Sequence, residues 1–369
     1  MNLRRVLIVA DESADWIVAG LRQLDRLALS LDEFAVANNE TSPVSVAICW
    51  QPDHLQSQRW VPNNPRLTHL AFTTELDGQP YDLILSTRLF LYRKALGSLI
   101  EDGAASVSGA PSWEDFNAAA ARPARPGLWE NIRHQNEIDR IEANFLRGSG
   151  KSQDGFVSRY LNRPLSRALT RFLLRFAIAP NAWTWLIFPI PVIASLILTL
   201  GSYWSFVWGL VLFQVFSVLD GCDGEIARAK FMESKRGRQL DDLFDVLSNI
   251  LLVLGLGVGL SRQTWFYGVE GIAAASLIAV NEWYLASRAT ASAVEAPPDS
   301  LSATIYPRHR KLSSGLSVFG EQFASFVMQL TKRDVAVLFF VLLAVIGFPA
   351  LILHLLVLVT AATLFFALL

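Results

Sequence analysis

The stretch DGCDGEIARAKFMESKRGRQLDDLFD, Asp220 to Asp245, sits beside apolar runs long enough to cross a bilayer and carries carboxylates at fixed spacing. Asp220 and Asp223 are three residues apart, Asp241 and Asp245 four. On helices, each pair projects from one face. Carboxylates at the edge of hydrocarbon are costly unless something neutralises them. Four converging carboxylates without a matching cluster of buried cations point to a divalent metal, and an all-oxygen donor set suits Mg²⁺ or Mn²⁺. Gly224 and Ala227 are small and lie on or beside the Asp220/Asp223 face, so a flat ligand has access to the helix backbone. Arg228 follows as a fixed cation suited to phosphate. Gly237 opens the second helix from a basic turn holding Lys235, Arg236 and Arg238.

The rest of the chain falls into two parts. With 369 residues it is long enough for two domains. Residues before about 155 are mixed in character, and those after about 180 are dominated by apolar runs. Lys plus Arg number 32 against 33 Asp plus Glu, a balance that implies no nucleic-acid partner. Cys49 and Cys222 are the two cysteines, and Cys222 lies inside the acidic stretch, so a structural disulfide is not expected. The N-terminal MNLRRVLIVADESADW has too short an apolar stretch for a signal peptide and is read as a first β-strand.

Val6–Val9, Val44–Ile48 and Leu83–Leu85 read as buried strands, with helical patterns at 14–30 and 88–101 and a connecting helix over Leu128–Arg147. That alternation predicts an α/β domain with a largely parallel sheet over residues 1–150. Residues 151–178 follow as an amphipathic juxtamembrane segment. There Arg159, Arg163, Arg167, Arg171 and Arg175 recur every four residues, with Leu161, Leu165, Leu169, Leu173 and Phe176 between them. From Pro164 this reads as a helix in the interface plane, its arginines touching anionic lipid or an acceptor phosphate. Residues 179–369 predict an all-α polytopic membrane domain. Six spans fit the length of about twenty residues per crossing: 182–200, 204–222, 240–260, 265–285, 334–348 and 350–368. The last two are cut at Gly347-Phe348-Pro349. ATASAVEAPPDSLSA between spans four and five reads as a flexible loop, and Leu316, Phe319, Phe323, Phe326 and Leu330 as a second interfacial helix. Basic residues crowd the second and fourth loops, whereas the opposite loops carry only Arg262. Both termini and the aspartates are therefore expected in the cytoplasm, with the protein in the plasma or inner membrane.

Written out, the acidic stretch is D-x-x-D-G-x-x-A-R, eight residues, then G-x-x-x-D-x-x-x-D. It resembles the signature of the class I CDP-alcohol phosphotransferases, membrane enzymes that make phospholipid head groups and related phosphodiesters. The order of domains is similar to bifunctional proteins that pair an inositol-1-phosphate cytidylyltransferase with a di-myo-inositol phosphate phosphate synthase. KSQDGFVSRYLNRPLS from Lys151 and PNAWT at Pro180–Thr184 look like that group's junction with its membrane domain. The resemblance implies attack of an acceptor hydroxyl on the β-phosphorus of a CDP-alcohol, with release of CMP. It implies metal on Asp220, Asp223, Asp241 and Asp245, with Asp245 also the general base. Nucleotide binding falls to Asp220, Gly224, Ala227, Arg228 and Thr184. Lys235, Arg236, Arg238, Lys332 and Arg333 are candidates for an acceptor phosphate. A homodimer embedded in membrane lipid is also implied.

The first third departs from the resemblance. A sugar nucleotidyltransferase follows its first strand with a Gly-rich loop whose amides cradle phosphates. Here the strand runs into ADESADW, with no glycine before Gly20. The N-terminal domain is therefore expected to be a degenerate, non-catalytic nucleotidyltransferase-like fold, and Asp11, Asp15 and Asp82 polar residues at strand ends rather than metal ligands. A bifunctional enzyme that makes its own CDP-alcohol is the alternative. A cation transporter predicts acids at the bilayer midplane, whereas these lie at span ends. A silent membrane scaffold predicts a decayed motif, and this one is intact.

Overall fold

The computed structural model describes residues 3–38, 42–54, 59–76, 78–102, 112–148, 156–292 and 333–368. Contacts divide the chain into two units. One comprises Met1–Gly150 with Arg171–Ala177 and Glu225–Met232; the other holds the remainder.

From the N-terminus, the first unit runs β1 (Arg5–Ala10), a 3₁₀ turn at Glu12–Asp15, β2 (Ile17–Val18), β3 (Leu21–Arg22), α1 (Gln23–Ala37), β4 (Val44–Trp50), β5 (Leu70–Thr73), β6 (Leu83–Ser86), β7 (Leu89–Leu91), α2 (Ala95–Glu101), α3 (Trp113–Ala120), β8 (Trp129–Asn131) and α4 (Ile138–Gly148). The main sheet has order β5-β4-β1-β6, with every pairing parallel. Val6 to Ala10 are buried on both faces, as a central parallel strand requires. Leu24, Leu27 and Leu31 share one face of α1 and pack with Ile8, Val46 and Leu83. Leu7, Val9 and Ile84 point the other way and meet Phe116 and Ala120 of α3. The expected α/β layers with a parallel sheet are thus present.

Three local expectations change. The helical pattern at 14–30 opens instead with the β2–β3 hairpin, and the helix starts only at Gln23. Ala19 and Gly20 both take positive φ, +48° and +79°, the backbone of a two-residue type I′ turn. A side chain at Gly20 would place its Cβ 2.9 Å from Lys230 Cε and 3.1 Å from the Leu174 carbonyl oxygen, so glycine is required there. The patterns at 88–101 and 128–147 each lose their first residues to strand, because Leu89–Leu91 pair antiparallel with Trp129–Asn131. The partner of that strand is some forty residues away, so a local helical period does not reveal it.

The helical part continues with α5 (Arg163–Leu173), α6 (Pro180–Ile187), α7 (Pro189–Leu198), α8 (Tyr203–Ala229), α9 (Lys235–Ser261), α10 (Phe266–Ser292), α11 (Arg333–Val345) and α12 (Pro349–Leu368). Among the described residues, three stretches are long and apolar enough to cross a membrane: Pro180–Leu198, Tyr203–Ala229 and Lys235–Ser261. Val335–Val345 and Pro349–Phe365 are shorter apolar helices. They are separated at Gly347, whose φ is +88°. Helices approach closely through small residues. A Cβ on Gly255 would sit 2.8 Å from the Ser195 carbonyl oxygen, and one on Gly257 2.8 Å from the Gly271 Cα. Leu198, Phe206, Leu210, Leu256 and Leu260 form the centre of this bundle, while Trp185, Leu186, Leu196, Trp208, Val258 and Ile272 are exposed on its outside. A bundle apolar within and without suits a lipid surround. The expected loop and second interfacial helix fall almost wholly within 293–332, outside the described residues.

Candidate active site

α8 delivers Asp220 and Asp223 from one face, and α9 delivers Asp241 from its second turn. One oxygen from each of these carboxylates lies within 4.8 Å of the other two. Oxygens on opposite sides of an ion with bonds of about 2.1 Å are roughly 4.2 Å apart. The three carboxylates are therefore near the spacing of a single small dication, with an all-oxygen donor set that fits Mg²⁺ or Mn²⁺ chemically. Asp245, one turn beyond Asp241, falls outside this group and is half-buried. Asp242 is exposed and also outside it.

The surroundings fix these carboxylates. Asp223 is buried, and its Oδ2 accepts a hydrogen bond from the Thr184 hydroxyl at 2.8 Å. The Gly224 amide donates to its other oxygen. Thr184 is itself buried on α6, held by the PNAWT turn, where Pro180 takes the first helical position and Trp183 donates to the Leu219 carbonyl oxygen at 2.9 Å. The structure thus puts Thr184 behind a carboxylate, as an orienting donor. Ser234 caps α9, its hydroxyl accepting from the Gly237 amide at 3.0 Å. A Cβ at Gly237 would lie 3.0 Å from both Ser234 Oγ and Asn181 Oδ1, so this cap is built around a glycine.

Lys235, Arg236 and Arg238 occupy the first turn of α9 and are exposed. Cations at a helix N-terminus oppose the helix dipole. They stabilise the helix little, but together with that dipole they favour an incoming anion. Lys332 lies outside the described residues, and Arg333 begins α11 with its side chain not described.

The arginine stripe does not stay on one surface. Arg163 is buried, and its Nη1 would be 3.4 Å from a Cβ placed on Gly221, beside Asp220. Arg171 pairs with Asp139 at 2.6 Å. Arg159 and Arg175 are exposed, as are Leu165, Phe172 and Phe176. Of the arginines expected to touch anionic lipid or an acceptor phosphate, Arg163 and Arg171 turn to protein, because a close helix face and carboxylates are there to receive them. Thr184, which the resemblance places among the nucleotide-binding residues, donates to Asp223, and Arg163, one of the periodic arginines, lies beside Gly221. Their positions alone, every fourth residue for Arg163 and four residues after a helix-starting proline for Thr184, do not reveal these contacts.

Ala227 and Arg228 lie on the last turn of α8, the segment that packs with the α/β unit. Arg228 lines a cavity of about 780 Å³ together with Arg93, Lys94, Arg140 and Arg147. In that unit Asp11, Asp15 and Asp82 each have structural partners. Asp11 accepts from Ser13 N at 2.8 Å and pairs with Arg88. Asp15 accepts from Trp60 Nε1, and Asp82 from the amides of Arg4 and Arg5. Arg26 is completely buried. Burial first, and then the charge of Arg93, push its guanidinium down to about 9 against the opposing pull of Glu142.

A polytopic helical bundle whose motif-bearing helices converge three carboxylates defines a metal-dependent membrane enzyme class. The chain belongs to the CDP-alcohol phosphatidyltransferase family, matched over residues 177–368. It is also similar to proteins named bifunctional IPC transferase and DIPP synthase. The one from Rubrobacter xylanophilus is 33% identical over 204 residues, covering 53% of this chain and 45% of the relative. The one from Archaeoglobus fulgidus is 32% identical over 127 residues, 34% of this chain and 25% of the relative. That from Thermococcus kodakarensis is 31% identical over 141 residues, 38% and 32% of the two chains. The match thus spans under half the length of each of these relatives.

Proposed function

We propose that this chain transfers a phospho-alcohol group from a CDP-alcohol to an acceptor hydroxyl, releasing CMP. The observation that carries the reading is the convergence of Asp220, Asp223 and Asp241, in the family's motif, within 4.8 Å of one another. Those three side chains hold the divalent ion, Mg²⁺ or Mn²⁺. When bound there, such an ion supplies charge neutralisation to the diphosphate and to the departing CMP. Asp245 takes the proton of the acceptor hydroxyl, being close in sequence to the metal carboxylates yet outside their cluster. Thr184 keeps Asp223 aimed. Gly224 and Ala227 leave room for the cytidine, and Arg228 binds a phosphate of the donor. Lys235, Arg236 and Arg238, with Lys332 and Arg333, attract an acceptor phosphate.

The remaining readings follow the same placement. The domains are 1–150, 151–178 and 179–369. Six helices span the membrane, with α10, α11 and α12 completing the three long apolar stretches. Both termini and the site face the cytoplasm of a plasma or inner membrane, where CDP-linked donors are made. The protein works as a homodimer among membrane lipids. The α/β unit is non-catalytic; its first strand leads into the Asp11–Ser13–Arg88 network in place of a Gly-rich phosphate loop. The relatives' names favour one second reading, in which this unit also makes the CDP-alcohol. Incubation of the full chain with CDP-diacylglycerol or CDP-inositol, a panel of hydroxyl acceptors and Mg²⁺ tests the first reading through CMP release. CTP with inositol-1-phosphate tests the second through pyrophosphate release. A chain that releases neither product is the scaffold alternative.

A further inference from the structure

Three arginines of the α/β unit grip the end of α8. The Arg26 Nη2 group donates to the carbonyl oxygens of Val18, Ala19 and Ala229 at 2.8, 3.1 and 2.9 Å. Arg66 Nη1 donates to those of Lys230 and Phe231, both at 2.8 Å. Arg93 Nη1 reaches the Arg228 carbonyl oxygen at 3.2 Å. Four consecutive carbonyls, 228 to 231, are therefore held by guanidinium groups. Those of Arg228, Ala229 and Lys230 are among the acceptors that a helix end leaves without internal partners and where its dipole is negative, and that of Phe231 follows directly.

The turn that ends the helix is itself unusual. The Met232 amide donates to the Ala227 carbonyl oxygen at 2.8 Å, and Phe231 takes a φ of +54°. This is a Schellman stop, whose left-handed residue is most often glycine. A helix that needed only to stop would be better served by glycine. Here the ring at that position lies under two cations, with the Arg93 guanidinium carbon 4.7 Å from its centroid and that of Arg26 5.6 Å away. The backbone carbonyls and the ring are thus held by one set of arginines.

We propose that Arg26, Arg66 and Arg93, closed on Phe231, are positioning residues that fix the pose of Ala227 and Arg228 for donor binding. The α/β unit is then needed for transfer although it contributes no reacting group. This rests on the transferase reading for its kinetic consequence, but not for its structural one.

The test uses the full-length chain with Phe231→Gly, Phe231→Trp and Arg66→Ala. Glycine fits the left-handed turn, so Phe231→Gly keeps its thermal unfolding temperature while losing the stacked ring. Amide hydrogen exchange over 225–232 rises in that variant, and the KM for the CDP-alcohol rises about tenfold with kcat little changed. Phe231→Trp restores both, because its ring also accepts stacked cations. Arg66→Ala, which removes two hydrogen bonds at an exposed residue, shifts exchange and KM in the same direction. Wild-type exchange and KM in Phe231→Gly would reduce Phe231 to an ordinary helix stop and overturn the proposal. Should Phe231→Gly unfold, Arg66→Ala decides alone, and no change in its exchange or KM refutes the clasp. A wild-type chain that releases no CMP defeats the transferase reading, while the exchange measurements still decide the clasp.

Discussion

Replacing Thr184 with valine removes a hydroxyl and leaves the side chain's branching in place. Thr184 and Asp223 are both buried, and their hydrogen bond is 2.8 Å long. A hydrogen bond to a charged acceptor contributes about 1.5–3 kcal/mol. At 1.4 kcal/mol per factor of ten, that corresponds to roughly ten- to 150-fold in an equilibrium constant. Asp223 keeps its contact from the Gly224 amide, so the lower part of that range applies. Loss of a donor behind a metal ligand costs about 10- to 100-fold in metal affinity elsewhere, in the same direction and of the same size. Thr184→Val is therefore expected to raise the Mg²⁺ or Mn²⁺ concentration for half-maximal CMP release about tenfold. Saturating metal should recover most of the rate. Thr184→Ser keeps the hydroxyl and should stay near wild type. The assay is a metal titration of CMP release, paired with Mn²⁺ binding measured directly. Unchanged metal dependence in Thr184→Val, with the protein folded, would refute the view that this hydroxyl aims Asp223.

Other outcomes follow from the same geometry. Asp220→Asn and Asp241→Asn should abolish CMP release while the protein stays folded in the membrane, and excess EDTA should do the same; activity in chelator removes the metal assignment. Asp245→Asn should keep Mn²⁺ binding yet slow transfer by about 10²- to 10⁴-fold, and a loss of metal affinity equal to that of Asp220→Asn would make it a ligand instead. The full chain supplied with CTP and inositol-1-phosphate should release no pyrophosphate, and release would make the protein bifunctional. At Asp11, burial pushes the carboxyl up, but hydrogen bonds from Ser13 and Arg88 and the charge of Arg88 outweigh it and hold the group below its ordinary value. A depressed folded-state pKa contributes stability that is complete above the unfolded value and lost as pH falls through the folded one. Thermal scans between neutral pH and about pH 3 should thus show a shallower acid-side decline for Asp11→Asn than for wild type. Equal slopes would mean that the Arg88 pair contributes nothing to acid sensitivity.

How far the sequence reaches depends on the range of the forces involved. The strands at Val6, Val44 and Leu83 were legible because a parallel sheet covered on both faces makes its strands near-continuous apolar runs, and that is a property of a few adjacent residues. The acidic motif was legible for a similar reason: residues three and four apart on a helix share a face before any tertiary contact forms. The same local rule placed the break at Gly347-Phe348-Pro349.

Whatever depended on distant partners was decided by tertiary structure. Asp220 and Asp223 lie on one helix and Asp241 on the next, so only packing brings the three together and leaves Asp245 outside the cluster. Thr184 was expected among the nucleotide-binding residues; its hydrogen bond to Asp223, 39 residues away, is a contact that only folding makes. The segment at Leu89–Leu91 became a strand because Trp129–Asn131 pairs with it. Arg26 is an ordinary cation in a helical pattern until folding surrounds it with three carbonyls and buries it completely. A sequence fixes periodicity and charge within a few turns, but a carbonyl's partner and a carboxylate's neighbours are properties of chain segments far apart, and only the closed fold chooses them.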